Sequence, residues 1–482
     1  MAVLTGLKPE AVFRYFEALC AIPHGSGNTK QISDYCVRFA REHGLRHIQD
    51  ESGNVIIFKD GTEGYEHASP VMLQGHLDMV CEKTADCPID FETDGLILRL
   101  DGDTISAEGT TLGGDDGIAV AYGLALLASD DIPHPPLEVV FTTDEEIGMF
   151  GAAALDCSPL KARTMLNVDS EVEGILLVSC AGGCCVSCRL PVRRKEAEGV
   201  LLTLRVGGLV GGHSGVEIDK GRANANQLLG RALNELDKEA PYGLIALSGG
   251  LKDNAIPREA AAQLVVEAAS EARVRAFAAK YNEIFAAEFR ATEPTLSLSV
   301  EADGIGQVSS MSADTKTAVI AALVNLPGGV QRMSADIPGL VQTSLNMGIL
   351  DSSEDEVTMR FALRSSVETE KEELCSRIGN LMAVLGGAVE RSGDYPAWEY
   401  RQDSRLRDLM VEVFTAQYGH KPEVQAIHAG LECGLFAGKL PGLDCVSIGP
   451  DMLDIHTTGE RMSVASVRRT WEFILEILKR LK

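Results

Sequence analysis

The sequence predicts an α/β fold with a mostly parallel sheet, interrupted by an inserted α+β domain. Residues 1–184 alternate between helical and extended patterns, residues 185–390 change to strands and long helices, and residues 391–482 return to the first pattern. Strands that alternate with helices favour a sheet that helices cover on both faces. We therefore expect one α/β domain built from 1–184 and 391–482, with a second domain, 185–390, inserted into it.

Two kinds of apolar pattern predict the α/β class of residues 1–184. Helical spacing predicts helices at Pro9–Ala21, Thr29–His43 and, after a glycine-rich turn, Asp115–Ser129. Short apolar runs predict strands at Val55–Lys59, Val71–Gln74, Leu137–Thr142 and Met165–Val168. Apolar runs without alternation are typical of strands buried on both faces.

The middle segment reads as strands that alternate with longer helices. Strands are predicted at Gly199–Val206, Gly243–Leu247, Ala260–Ala268 and, after a stretch rich in glycine and serine, Glu356–Ser365. Helices are predicted at Arg222–Lys238, Glu271–Ala291 and Glu368–Leu385, and the chain ends in a helix at Ser466–Leu481. This order favours a separate α+β domain.

The charge and the cysteine content exclude several classes of protein. A formal net charge of −26 repels phosphate backbones and anionic lipid heads, so we expect neither nucleic acid nor a membrane as partner. The longest apolar run is too short for a bilayer, and the N-terminal segment lacks the features of a secretory signal. Twelve cysteines in such a chain predict reduced thiols and a cytoplasmic protein.

Ionisable residues follow the ends of several apolar strands. They are His76, Asp115, Glu146, Asp169 and His456. Because ligands of an open α/β sheet bind beyond the carboxyl ends of its strands, we expect these side chains to converge. Two imidazoles and three carboxylates suit Zn²⁺, Co²⁺ or Mn²⁺. Five ligands exceed those of one four-coordinate catalytic zinc, and they fit two metal ions that share a carboxylate and activate a bridging water.

Two further carboxylates suit supporting roles in such a site. Glu145 and Glu146 are neighbours, so one can bind metal while the other faces the substrate, where a free carboxylate acts as a general base. Asp78, two residues after His76, can orient that imidazole. Each motif alone also fits a structural role, such as a helix N-cap for Asp115. Only the joint occurrence of these motifs supports the prediction of a metal site.

These motifs resemble the co-catalytic dinuclear zinc peptidases, a family that includes the carnosinases, tripeptidase T and the aminoacylases. The resemblance lies in His76-Leu-Asp78, Gly114-Asp115-Asp116, Asp144-Glu-Glu-Ile-Gly148, Asp169 and His456. Two further motifs, Gly211-Gly-His213-Ser-Gly215 and His428-Ala-Gly430-Leu-Glu-Cys-Gly434, are similar to the bacterial aminoacyl-histidine dipeptidases within it. The resemblance spans nearly the whole chain.

The resemblance implies a role for each of the candidate site residues. His76 and Asp169 would hold one metal ion, Glu146 and His456 the other, and Asp115 would bridge them. Glu145 would act as general base and Asp78 as the supporting carboxylate. The peptide bond between Asp115 and Asp116 is implied to be cis.

For the inserted domain, the resemblance implies a lid that also forms a homodimer. His213 would stabilise the oxyanion, from its own or the partner subunit. Asn254 and Arg364 would bind the substrate, with Arg364 gripping its terminal carboxylate, and Gly430 would offer a backbone amide. The implied activity is hydrolysis of unblocked dipeptides with a preference for C-terminal histidine.

Three other interpretations remain open on the residues alone. Cys180, Cys184, Cys185 and Cys188 could mark a metal or iron–sulfur cluster, although their spacing is unusual and the segment reads as a buried strand. Ser214 in Gly-His-Ser could be a hydrolase nucleophile, but the last glycine of that motif is replaced by valine. A tripeptidase, a deacylase or a non-catalytic binding protein could use the same fold.

Overall fold

The computed structural model of the protein describes residues 3–482. Its α-helices are α1 (Glu10–Cys20), α2 (Lys30–Glu42), α3 (Gly114–Ala128), α4 (Phe150–Ala154), α5 (Ala225–Glu239), α6 (Ala268–Glu288), α7 (Ala313–Asn325), α8 (Glu368–Val384), α9 (Arg405–Tyr418), α10 (Glu432–Lys439) and α11 (Val464–Arg480). Within the described residues, none of these helices combines the length and apolar character needed to span a bilayer.

The strands of the described residues form sheets of eight, nine, two and four strands. They are β1 (Arg46–Gln49), β2 (Val55–Lys59), β3 (Val71–His76), β4 (Leu98–Asp101), β5 (Thr104–Ala107), β6 (Leu137–Thr142), β7 (Thr164–Asn167), β8 (Ile175–Cys180), β9 (Gly182–Pro191), β10 (Arg194–Gly207), β11 (Gly212–His213), β12 (Gly243–Gly249), β13 (Ala255–Ile256), β14 (Ala260–Val266), β15 (Ser297–Met311), β16 (Gly329–Met333), β17 (Val341–Ser352), β18 (Glu356–Ser365), β19 (Ala388–Tyr395), β20 (Glu423–Ile427), β21 (Asp444–Ser447), β22 (Met452–Leu453) and β23 (Arg461–Ser463).

Contacts between Cα atoms divide the chain into two compact units. Unit 1 comprises 3–180, 400–426 and 431–482, and unit 2 comprises 181–399 together with the short segment 427–430. The boundaries expected from the sequence are 184/185 and 390/391, and no sequence pattern indicated that 427–430 belongs to unit 2.

Unit 1 is built on an eight-stranded sheet of order β1-β2-β6-β3-β7-β21-β8-β20. The four central strands β6, β3, β7 and β21 are parallel, while β1, β2 and β8 pair antiparallel towards the edges. Every residue of β3 and β6 is buried. Helix α3 contacts both α1 and β3. The predicted α/β class is confirmed, with parallel pairing at the centre of the sheet.

Unit 2 is built on a nine-stranded sheet with the path β15-β10-β14-β12-β17-β18-β9-β19, and β16 pairs with β17 off this path. The neighbouring strands pair antiparallel. One face of β10 buries Leu202, Leu204 and Val206, as expected of a strand with one face on a core. Leu229 and Leu233 of α5 belong to the same buried cluster.

Most predicted elements lie within a few residues of the observed ones, and the longest stretch of the middle segment without a predicted element lies before Glu356. The stretch before Glu356 that read as rich in glycine and serine contains β15, α7, β16 and β17. Strand β15 exposes most of its residues, so it lacks the alternation that marks a half-buried strand. Strand β17 is largely buried yet carries Thr343, Ser344 and Asn346, which mask its apolar pattern.

The cysteine-rich segment forms the predicted strand. Cys180 ends β8, and the other three thiols lie on β9, where Cys184 and Cys188 are buried. All twelve cysteines are free thiols. Among the described residues, none of these cysteines belongs to a group of side chains close enough to hold a metal ion.

Candidate metal centre

The topology of unit 1 brings the five predicted metal ligands together. His76 ends β3, Glu146 follows β6 and Asp169 follows β7, and these three strands are parallel neighbours. Their carboxyl ends therefore meet at one edge of the sheet. Asp115 lies in the first turn of α3, and His456 lies in the loop between β22 and β23.

Asp115 lies between the two histidines. Its Oδ1 is 3.1 Å from His76 Nε2, and its Oδ2 is 3.1 Å from His456 Nε2. On one side, Asp169 Oδ1 lies 3.8 Å from His76 Nε2; on the other, Glu146 Oε1 lies 2.9 Å from His456 Nε2. The side chains thus form two groups that share one carboxylate.

Three sets of side chains have ligand atoms close enough to hold a metal ion. They are Asp115, Glu146 and His456; His76, Asp116 and Asp169; and His76, Glu145 and Glu146. Two members of these sets were not predicted as ligands: Glu145, which was predicted as the general base, and Asp116. The Oδ2 of Asp116 accepts a hydrogen bond of 3.1 Å from the backbone amide of His76, and its Oδ1 is buried without a partner in the described chain.

The electrostatics of these groups favour a cation. Burial opposes ionisation of Asp115, but hydrogen bonds from His456 and His76 outweigh it and hold the pKa of Asp115 below its usual value. Asp115 and Glu146 raise the pKa of His456 to about 10. Against the effect of burial, Asp115, Asp78 and Asp169 hold the pKa of His76 well above 6.5. A field that protonates two imidazoles also attracts divalent metal ions, so the donor set fits such ions.

The turn that carries the two glutamates is fixed by Asp78. The carboxylate of Asp78 accepts hydrogen bonds from the amides of Glu145 (3.0 Å) and Glu146 (3.3 Å) and from the hydroxyl of Ser26 (2.8 Å). Burial, the nearby Glu432 and other carboxylates raise the pKa of Glu145 to about 8. A carboxylate of this kind can both accept and return a proton near neutral pH.

Asp78 also fixes the tautomer of His76, through its backbone. The Nδ1 of His76 lies 3.0 Å from the carbonyl oxygen of Asp78 and 3.5 Å from its carboxylate. Because a carbonyl oxygen only accepts, Nδ1 carries a proton whether or not the ring is charged, so Nε2 is the nitrogen that can release its proton and bind a metal ion. The carbonyl is thus the nearer partner of the imidazole, where the sequence analysis had expected the carboxylate.

Two structural features mark the start of α3. The peptide bond between Asp115 and Asp116 is cis, as the family resemblance implied. The buried carboxylate of Glu460 accepts hydrogen bonds from the amides of Leu112 (2.8 Å) and Gly114 (2.8 Å), and so holds the loop before Asp115. No local sequence pattern connects Glu460 to that distant loop, so this contact could not be predicted.

A buried polar network in unit 1 was also missed. Glu432, at the start of α10, accepts hydrogen bonds at Oε2 from Gln74 Nε2 (2.5 Å) and Thr142 Oγ1 (2.7 Å). Asn167 donates to Gln74 Oε1 at 2.7 Å. These partners lie on β3, β6 and β7, the strands that end at the metal ligands. A polar Gln74 in an otherwise apolar strand was the available signal.

The four predicted substrate-binding residues lie in unit 2. His213 is on β11, Arg364 is on β18, Asn254 is in the loop before β13 and Gly430 is in the segment 427–430. The guanidinium of Arg364 donates to Tyr395 Oη at 2.9 Å through Nη1.

The ring of His213 is held in one tautomer. Its Nδ1 accepts hydrogen bonds from the backbone amides of Gly215 and Val216, each at 3.2 Å. Burial, helped by the nearby Arg364, lowers the pKa of His213, so the ring is neutral at pH 7. The single proton therefore lies on Nε2, which is left as a hydrogen-bond donor.

The serine-hydrolase interpretation has no support in the geometry. The hydroxyl of Ser214 is buried and lacks a hydrogen-bond partner within 3–482, so no histidine activates it. The following turn leads to a 3-10 helix at Ile218–Lys220, whereas a nucleophile elbow joins a strand to a long helix.

Comparison with known proteins agrees with this geometry. A profile of peptidase family M20/M25/M40 matches residues 72–480. The chain is 37% identical over 485 residues to the cytosol non-specific dipeptidase of Escherichia coli (strain K12), covering 100% of this chain and 99% of that protein.

Solved structures give the same result. The aminoacylhistidine dipeptidase of Vibrio alginolyticus superposes with a TM-score of 0.92 at 36% identity, covering 99% of this chain and 97% of that one. The aminopeptidase PepT of Bacillus cereus ATCC 10987 shares the fold, with a TM-score of 0.57 at 16% identity and coverage of 98% and 99%. The comparisons confirm both the resemblance inferred from the motifs and the predicted fold class.

Proposed function

The chain belongs to peptidase family M20/M25/M40, and from this membership we propose that it hydrolyses unblocked dipeptides with two divalent metal ions, preferring a C-terminal histidine. One observation carries the proposal. The two oxygens of Asp115 each lie 3.1 Å from a different histidine, so a single carboxylate can serve two metal ions. The full-length relative in E. coli is named a dipeptidase.

We assign the metal-binding roles as the motifs implied them. His76 and Asp169 would hold one ion, Glu146 and His456 would hold the other, and Asp115 would serve both. The mixture of imidazole and carboxylate ligands suits zinc, and cobalt or manganese would also be accepted. When bound, the two ions supply Lewis acidity and lower the pKa of a water molecule at the site.

The protein's own groups then move the protons. Glu145 takes a proton from the attacking water and returns it to the leaving amine; its raised pKa suits both steps. Asp78 keeps Glu145 in place through the hydrogen bond to its backbone amide. The Nε2 proton of His213 is available to an oxyanion, because Nδ1 is occupied by two amides.

For substrate binding, we assign the terminal carboxylate to Arg364, with Asn254 and the Gly430 amide as further contacts. A guanidinium binds carboxylates through parallel hydrogen bonds. The names of the two relatives indicate different substrate ranges. The E. coli protein is called a non-specific dipeptidase, and the V. alginolyticus protein is called an aminoacylhistidine dipeptidase. A comparison of Xaa-His with other dipeptides therefore tests the histidine preference directly.

We further propose a cytoplasmic homodimer formed through unit 2. The strand β15 lies at one end of its sheet, and Ile305 on that strand is 80% exposed in the single chain. A long edge strand offers backbone groups to a second chain. Ile305→Lys should shift the mass measured by light scattering towards the monomer, while an unchanged mass would exclude this edge as the dimer interface.

Two observations support the proposed cytoplasmic location. The E. coli relative is named a cytosol dipeptidase, and the cysteines of this chain are free thiols.

The function is tested by hydrolysis of β-alanyl-histidine and a panel of other dipeptides. Metal-stripped protein is assayed before and after addition of Zn²⁺, Mn²⁺ or Co²⁺. Metal-restored cleavage with preference for histidine supports the whole proposal, and cleavage without that preference leaves a broader dipeptidase. Failure to cleave any dipeptide with any metal would refute it and direct the assay to tripeptides and acylated amino acids.

A further inference from the structure

His428 has no role in the function proposed above, yet unit 2 holds it in a fixed position. It lies in the segment 427–430, the part of the C-terminal region that belongs to unit 2. The amide of Ala181 donates to the carbonyls of both Ile427 (3.2 Å) and Ala429 (3.0 Å), so the backbone on either side of His428 is anchored. The side chain is buried, with 5% of the residue exposed.

The ring presents one nitrogen to β17 and the other away from it. Nε2 lies 2.7 Å from Ser344 Oγ. Burial, together with Arg364 and His213, lowers the pKa of His428 to about 3, so the ring is neutral and carries one proton. We assign that proton to Nε2, with Ser344 Oγ as its acceptor, and this assignment leaves a lone pair on Nδ1.

Three polar atoms of this region are buried without a hydrogen-bond partner in the described part of the chain. They are His428 Nδ1, Arg364 Nε and Ser214 Oγ. Leaving a buried polar atom unpaired is energetically costly, so native proteins rarely accumulate such atoms without a reason. One donor, one acceptor and one hydroxyl together match a polar ligand.

His428, His213 and Arg364 all approach Gly215, His428 through its backbone carbonyl. A Cβ atom at Gly215 would lie 2.7 Å from the carbonyl oxygen of His428, 2.9 Å from Cε1 of His213 and 3.2 Å from Nε of Arg364. A larger residue at this position would therefore clash with all three. The absence of a side chain lets these residues lie close together.

We infer that His428 is a specificity-determining residue whose Nδ1 accepts a hydrogen bond from the side chain of the substrate's C-terminal residue, while Arg364 holds the carboxylate. The inference rests on the proposed function. An imidazole N–H is a donor of the required kind, whereas leucine and phenylalanine side chains offer none. Because a site built for a hydrogen bond discriminates against ligands that lack it, His428 would favour Xaa-His over Xaa-Phe.

The test compares two proteins on two substrates. The full-length zinc-reconstituted enzyme and its His428→Leu variant are assayed with alanyl-histidine and alanyl-phenylalanine. Loss of one hydrogen bond should lower the ratio of kcat/KM for the two substrates by about tenfold in the variant. The His428→Asn variant, which keeps an acceptor near the position of Nδ1, should retain part of the ratio.

The outcomes separate the inference from the function on which it rests. If His428→Leu lowers kcat/KM equally for both substrates, the residue is structural or contacts the peptide backbone, and the inference is wrong while the function stands. If the unaltered enzyme cleaves neither substrate with any metal, the function fails and the inference with it.

A second measurement uses only the unaltered enzyme, so it can be made even if the His428→Leu variant does not fold. Alanyl-histidine methylated on either imidazole nitrogen is compared with the parent dipeptide. Methylation of the donating nitrogen should lower kcat/KM markedly more than methylation of the other. Equal cleavage of the parent and both methylated forms would overturn the inference.

Discussion

The carboxylate of Asp78 accepts a hydrogen bond of 3.0 Å at Oδ1 from the backbone amide of Glu145. The Glu146 amide binds the other oxygen, and the Asp78 carbonyl binds the ring of His76. One residue, 1% exposed, thus positions a histidine that we assign to a metal and the turn that carries the proposed base. We regard Asp78 as a positioning residue for both.

Replacing Asp78 keeps the carbonyl that binds His76 but removes the carboxylate that holds the turn. It should therefore weaken metal binding through Glu146 and turnover through Glu145. For Asp78→Ala we expect a loss of about 10–100-fold in metal affinity or in kcat, the range typical of groups behind metal ligands. Asp78→Asn keeps one accepting oxygen and should lose less. Metal titration by calorimetry and steady-state kinetics measure the two effects, and unchanged values in Asp78→Ala would exclude the positioning role.

Metal stoichiometry tests the bridging role of Asp115 without any activity assay. Because Asp115 contacts both histidines, Asp115→Ala should lose tight binding of both ions, whereas His456→Ala should lose one. Elemental analysis after dialysis measures the metal content per chain, with the exposed Asp60→Ala variant as the control. Retention of one ion by Asp115→Ala would show that the carboxylate serves a single site.

The two adjacent glutamates should respond differently to the same substitution. Glu145→Gln removes the proposed base but leaves the ligands in place, so we expect metal content to persist and kcat to fall by about 10²–10⁴-fold. Glu146→Gln removes a ligand and should lower the metal content instead. Wild-type turnover in Glu145→Gln would rule out its role as general base.

Whether a site residue could be predicted depends on how far along the chain its partners lie. His76 and Asp169 directly follow apolar strands, so their convergence follows from the rule that parallel strands end at one edge. Glu432 and Glu460 act on residues that lie hundreds of positions earlier in the chain, and neither sits in a pattern that reveals its partner. Such contacts exist only once the fold brings the segments together.

The same reasoning accounts for the fold. Helices α1 and α2 and strands β2 and β6 carry regular apolar patterns and were predicted with nearly correct bounds. Strand β15 was missed because its residues are mostly exposed and impose no periodicity. Its position is set by long pairing with β10, an interaction that a sequence does not display.

His213 offers a prediction that separates binding from chemistry. With its Nε2 proton directed away from the Gly215 and Val216 amides, the ring can stabilise charge that develops during the reaction. We expect His213→Ala to lower kcat by about 10²–10³-fold with little change in KM, as the loss of an oxyanion donor does. Steady-state kinetics at full metal occupancy provide the test. A raised KM with unchanged kcat would assign the residue to ground-state binding alone.

Glu432 gives a prediction about stability and pH. Burial raises its pKa to about 7, and the hydrogen bonds from Thr142 and Gln74 offset only part of that effect. The folded protein therefore binds this proton more tightly than the unfolded chain, whose glutamate has an ordinary pKa near 4.5. The stabilisation is fully present below pH 4.5 and is lost as the pH rises towards 7.

Glu432→Gln keeps the side chain neutral at every pH, so it should escape this loss. We expect the difference in unfolding free energy between the variant and the parent protein to change in the variant's favour by about 2–3 kcal/mol between pH 4.5 and pH 8, since one pKa unit corresponds to about 1.4 kcal/mol. Denaturant unfolding of both proteins, each stripped of metal, measures that difference, and the exposed Glu63→Gln variant is the control. A difference that stays constant across this range would mean that Glu432 ionises in the folded protein as readily as in the unfolded chain.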